Sequence, residues 1–171
     1  MSALKRILKS LREFKKETIL TLVFIIGEVL LEVLIPYITG NLVNKIEMGA
    51  ELRYVVMIGL AVVLAALVSL AFGALAGFTA SKASAGLARN LRKDMYEHIQ
   101  DFSFGNIDKF SSSSLVTRMT TDITNVQNSY MMLIRTAVRA PFMLIMAVIF
   151  AFLLNTQMAM TFVVVIPVLT V

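Results

Sequence analysis

The sequence predicts an all-α membrane protein, and three observations carry that prediction. Of its 171 residues, 58% are hydrophobic and 16% charged, with a mean hydropathy of +0.81. A soluble domain of this length carries more charge and less unbroken apolar sequence. The apolar residues gather into four runs, near positions 18–44, 54–81, 141–155 and 158–171. The cations are distributed asymmetrically about those runs. Lys5, Arg6, Lys9, Arg12, Lys15 and Lys16 precede the first, Lys45 and Arg53 lie between the first two, and the rest fall between Lys82 and Arg139. By the positive-inside rule the N-terminus and residues 82–139 are cytoplasmic, and the loops near 45–53 and 155–157 lie outside. The formal net charge of +5 is therefore topogenic and does not mark a nucleic-acid partner. Cysteine is absent, which excludes a disulfide framework and thiolate metal sites. The single histidine, His98, sits in the charged run RKDMYEH and reads as a solvated helix residue, not a metal ligand.

The elements follow in order. In residues 1–16, Leu4, Ile7, Leu8, Leu11 and Phe14 recur at helical spacing with Lys and Arg on the other face. That pattern predicts an amphipathic helix lying flat on the inner leaflet. The first span, 18–44, carries Glu28 and Glu32 four residues apart, on one helical face. The second helix begins at 54. No proline occurs between Pro36 and Pro141, and residues 82–104 turn charged while staying rich in helix formers. The helix thus leaves the membrane unbroken over 54–104. At 1.5 Å per residue it measures roughly 75 Å, against a hydrocarbon core of ~30 Å. Gly105-Asn106 is the first stop, with Asp108 a cap candidate for a short helix beyond it. The serines at 111–114 reset the chain, and the third helix, 115–155, climbs back into the membrane. The fourth run, 158–171, falls short of the ~20 residues a span needs. The sequence reads as a piece of something longer.

The stretch SSSSLVTRMTTDITNVQ (111–127) resembles the segment entering the third transmembrane helix of ABC exporters. There a small-residue turn precedes a Leu-x-x-Arg-x-x-x-Asp run, here Leu115, Arg118 and Asp122. MMLIRTAVRAPFMLI (131–145) is similar to subunits of bacterial heterodimeric multidrug exporters. PYITGNLVNKI (36–46) resembles the outer end of the family's first helix. The resemblance covers nearly the whole chain and implies the N-terminal part of a six-helix exporter transmembrane domain with long cytoplasmic helix extensions. It departs from the family where Ser113-Ser114 stand in place of a frequent Gly-Glu, and where Asn44 stands in place of Asp.

No Gly-x-x-x-x-Gly-Lys-Ser/Thr loop occurs, so the chain carries no phosphate cradle and no candidate catalytic residue. The resemblance implies that ATP and Mg belong to a nucleotide-binding domain outside this sequence, with no cofactor or metal in the chain itself. It also implies a second half transporter as partner, in a heterodimer, and a bacterial inner membrane with the N-terminus cytoplasmic. Residues 105–114 would form the coupling helix that docks on the nucleotide-binding domains. Phe104, Ile107 and Phe110, three residues apart, would be its apolar anchors, beside Asp108.

Two further patterns remain. Gly73, Gly77, Ser81, Ala85 and Ala80, Ser84, Ala88 form two rows of small residues along the second helix. Such rows permit close helix contact, and tight packing is preferred over a sliding surface. Ionisable residues inside a membrane face the bundle interior or a wet cavity and are site candidates by default. Glu28 and Glu32 are therefore candidates to line a substrate path, where they would favour cationic amphiphiles. The competing reading is an ion pair with Arg135 or Arg139 of the third helix. Glu28 is 16 residues below Asn44 and Arg139 is 16 below Asn155, so the two share a depth. Glu32, higher up, is the stronger cavity candidate.

The expected function is ATP-driven export of small amphipathic or hydrophobic substrates, cationic ones among them, by alternating access. The alternative is a membrane signalling receptor that relays a shift through long cytoplasmic helices. Very short outer loops and the return of the hairpin to the membrane argue against it.

Overall fold

The computed structural model describes residues 7, 9–101, 112–154, 156 and 159–160, and every regular element among them is helical. Three helices are long and apolar enough to cross a membrane: Arg12–Glu47, Leu52–Gln100 and Ser113–Leu154. The first consists of a 3-10 turn, Arg12–Phe14, running into α1, Lys15–Glu47. The second is α2, Leu52–Gln100, whose 49 residues continue without a break through the charged stretch. The third is built from α3 (Ser112–Thr117), α4 (Ile123–Met132) and α5 (Val138–Leu154). Two π-helical turns, Arg118–Asp122 and Leu133–Ala137, join these segments. Phe104, Ile107, Asp108 and Phe110 lie outside the described residues, as does nearly all of the fourth run at 158–171.

Local chemistry explains the ends and irregularities. At the end of α1, Gly49 adopts a left-handed φ of 81°. Its N–H donates to the carbonyl of Ile46 at 2.9 Å, and Ala50 N–H donates to Lys45 at 3.0 Å. This is a Schellman stop, which a residue without Cβ adopts at least cost. Pro36 and Pro141 both lie inside helices. A proline cannot donate to the carbonyl four residues back and crowds it. For Pro141 that carbonyl belongs to Ala137, where the second π turn ends.

The chain divides into two compact units. The unit of residues 1–22 and 76–136 has a core of Leu11, Ala80, Ala83, Leu87, Tyr130 and Ile134, with Phe14 packed against it. Small residues on α2 bring the backbones together. Of the two predicted rows, Ala80, Ser84 and Ala88 are buried, whereas Ser81 and Ala85 of the other are exposed. A side chain at Gly86 would run into the ring of Phe14.

Of the expected flat helix over 1–16, residues 1–6 and 8 lie outside the described residues, and Ile7 and Lys9 are helical. The chain turns at Ser10 and Leu11, and Arg12 holds a left-handed φ of 40°. Leu11, only 6% exposed, packs against Ala80, Ala83 and Leu87 in this unit's core. The reason is that α2 supplies both an apolar bed of small residues and polar partners for the turn. Asp94 accepts from Ser10 Oγ at 3.0 Å and from Arg12 Nη2 at 2.7 Å. Asn90 Nδ2 donates to the Ser10 carbonyl at 2.8 Å. Glu17 pairs with Lys82 at 3.0 Å. Buried hydroxyls satisfy one another within this unit. Thr21 donates to Thr79 at 2.8 Å, and the hydroxyls of Thr18 and Tyr130 lie 2.9 Å apart.

The other unit comprises residues 23–75 and 137–171. Ile25 and Val29 are its fully buried side chains on α1. Phe24 stacks on Phe72 of α2 with ring centroids 6.1 Å apart, and Tyr37 meets Phe150 of α5 edge-on at 5.6 Å. Most other large apolar side chains of this unit are exposed, as a lipid-facing surface requires.

Candidate functional site

The site lies wholly within the second unit and grows out of the helical repeat of α1. At 100° per residue, Glu28 and Glu32 fall on the side of α1 that also carries buried Ile25 and Val29. The carboxylates therefore point into the bundle. Facing them is Arg139, the second residue of α5. Its Nη1 donates to Glu28 Oε1 at 3.1 Å and its Nη2 to Glu32 Oε1 at 2.5 Å. The planar fork of the guanidinium spans one helical turn and engages both acids at once, which an ammonium on a single point could not do.

The two acids differ in setting. The Glu28 side chain is 12% exposed and that of Glu32 is 31% exposed. Glu28 is wedged against α2, where a Cβ at Gly73 would lie 2.8 Å from its Oε1. Ser69 Oγ donates to the Glu28 backbone carbonyl at 3.4 Å. Glu32 Oε2 is buried and has no hydrogen-bond partner among the described residues. Two acids share one base, so the site carries one formal negative charge in excess and one acceptor oxygen without a donor. A group bearing a cationic N–H fits both deficits.

Of the sequence candidates, Glu28, Glu32 and Arg139 come together. Arg135 does not join them: it sits in the Leu133–Ala137 π turn, is exposed, and makes no ion pair among the described residues. Gly73 belongs to the site as well. Its small-residue signal was visible in the sequence, but only the structure shows that the space it leaves is filled by a carboxylate. Gly73→Ala is expected to push Glu28 off Arg139 and lower stability by about 1–3 kcal/mol. Shortening the acid with Glu28→Asp in the same chain restores most of that loss. Melting curves of the single and double variants test this; a double variant no better than Gly73→Ala would remove Gly73 from the site.

Three long apolar helices thus carry an acid–base fork between the first and the third. The profile of the ABC transporter transmembrane region matches residues 18–171. The chain belongs to that family. It is 32% identical over 155 residues, 88% of its length, to the uncharacterized ABC transporter ATP-binding protein YfiB of Bacillus subtilis. It is 27% identical over 124 residues, 72% of its length, to the putative ABC transporter ATP-binding protein MG014 homolog of Mycoplasma pneumoniae. The matched parts are 26% and 20% of those relatives, so the chain spans about a quarter or less of their length. It is thus a multi-pass membrane segment of an ABC transporter, and the signalling alternative falls.

Proposed function

We propose that this ABC transporter segment forms the first part of an exporter half that moves amphipathic substrates, cationic ones preferred, out of the cytoplasm by alternating access. The observation that carries the reading is the Glu28–Arg139–Glu32 fork, which leaves one acid in excess inside an otherwise apolar bundle. In this reading Glu28 and Arg139 hold the first helix to the third, and Glu32 offers its free oxygen to the substrate's cation. The nucleotide-binding domain that supplies ATP and Mg chemistry lies outside this sequence, a reading supported by relatives that are named ATP-binding proteins. The tip near 105–114, with Phe104, Ile107, Asp108 and Phe110, docks on that domain. A second half transporter, forming a heterodimer, completes the path. The cation distribution supports a cytoplasmic N-terminus in a bacterial inner membrane.

Proteoliposomes holding the full-length subunit and its partner test this. With Mg-ATP on the nucleotide-domain side they are expected to accumulate a lipophilic cation, and to accumulate its uncharged isostere more slowly. ATP-independent movement, or ATP-driven movement toward the nucleotide-domain side, would contradict the reading.

A further inference from the structure

The N-terminal turn sorts its charges in a way that neither the fold nor the transport reading uses. Its acids face cations of α2: Glu17 pairs with Lys82 at 3.0 Å, and the exposed Glu13 lies 3.9 Å from Arg89. Arg12 is taken by Asp94. Lys9, Lys15 and Lys16 are exposed and make no ion pair among the described residues. Lys15 and Lys16 open α1 immediately before the apolar run at Thr18, and Lys9 stands just ahead of the turn. Both acids of the segment thus have a cation of α2 within ion-pair distance, and three exposed ammonium groups with no ion pair among the described residues flank the start of the apolar run. Leu11 and Phe14, packed on the bundle, fix that cluster to the helix bundle instead of leaving it on a loose tail.

We propose that Lys9, Lys15 and Lys16 form a binding surface for the phosphate of anionic phospholipids in the adjoining leaflet. Basic residues beside a span attract anionic headgroups with an affinity that grows by roughly fivefold per lysine. Three exposed ammonium groups beside the start of a span select an anionic headgroup over a zwitterionic one. The proposal rests on α1 crossing the membrane and not on transport, so failure of the export reading leaves it standing.

The test uses the full-length subunit in phosphatidylcholine bilayers containing spin-labelled phosphatidylglycerol or spin-labelled phosphatidylcholine. Electron paramagnetic resonance reads the protein-bound fraction of each. The expected result is a preference for phosphatidylglycerol that falls by up to about fivefold for each lysine removed in Lys9→Gln, Lys15→Gln and Lys16→Gln. The corresponding arginine variants keep it, which separates lost charge from misfolding. Lys93→Gln, which removes a lysine already paired with Glu97 at 3.8 Å, also keeps it. An undiminished preference in the triple glutamine variant overturns the proposal. So does displacement of the labelled lipid by millimolar inorganic phosphate alone, which would assign the surface to a soluble anion.

Discussion

Replacing Arg139 with glutamine is expected to lower the stability of the membrane domain by about 3 kcal/mol, the lower end of the range for breaking a buried ion pair. The lower end applies because the Arg139 side chain is 35% exposed. The change leaves Glu28 and Glu32 facing each other across one turn of α1 with no base between them. Glu28, only 12% exposed, cannot turn to water from its position beside buried Ile25 and Val29. The loss therefore belongs to the stranded acids and not to the missing arginine. Adding Glu28→Gln and Glu32→Gln to Arg139→Gln should return most of the stability, since three neutral amides of similar volume can bond one another. Melting curves of the single and triple variants in the same lipid check this. An Arg139→Gln protein that melts with the wild type would mean that the fork contributes nothing.

The second large effect is on recognition. Glu32→Gln is expected to weaken export of a cationic substrate by roughly ten- to a hundredfold, the worth of one charge-assisted contact. Stability should change little, because Glu28 still neutralises Arg139 and is the better buried of the two acids. Glu28→Gln should behave in the opposite way. It removes the carboxylate wedged beside Gly73, lowers the melting temperature and affects all substrates together. Parallel transport assays with a cationic and a neutral substrate, alongside melting curves of both variants, distinguish these roles. A uniform loss with a lowered melting temperature in Glu32→Gln would make both acids structural.

Much of the architecture was legible because the bilayer constrains it so strongly. Run length, cation asymmetry and the absence of proline between Pro36 and Pro141 were enough to read the long unbroken α2. The depth count that put Glu28 and Arg139 level matches the contact observed at 3.1 Å. The same count set Glu32 apart, because it compared helix positions and ignored the reach of the arginine. A guanidinium at the end of three methylenes spans a helical turn and collects both acids. The turn at Ser10 and Leu11 was not legible for a related reason. Helical spacing at Leu4, Ile7, Leu8, Leu11 and Phe14 marks an apolar face but does not say whether lipid or protein covers it. The bed offered by Ala80, Ala83 and Gly86 on α2 decides that, and it lies some seventy residues away in sequence. The π turns at Arg118–Asp122 and Leu133–Ala137 carry no composition signal beyond the proline that follows the second.

The central claim, that the Glu32 oxygen left over from the fork answers to a cation, is tested most directly by equilibrium binding. A lipophilic amine and its isosteric carbon analogue are titrated into wild-type and Glu32→Gln protein without nucleotide, in the same lipid. The account predicts that wild type prefers the amine by roughly ten- to a hundredfold and that Glu32→Gln binds the two alike, with the analogue's affinity unchanged. An amine preference that survives in Glu32→Gln would contradict it.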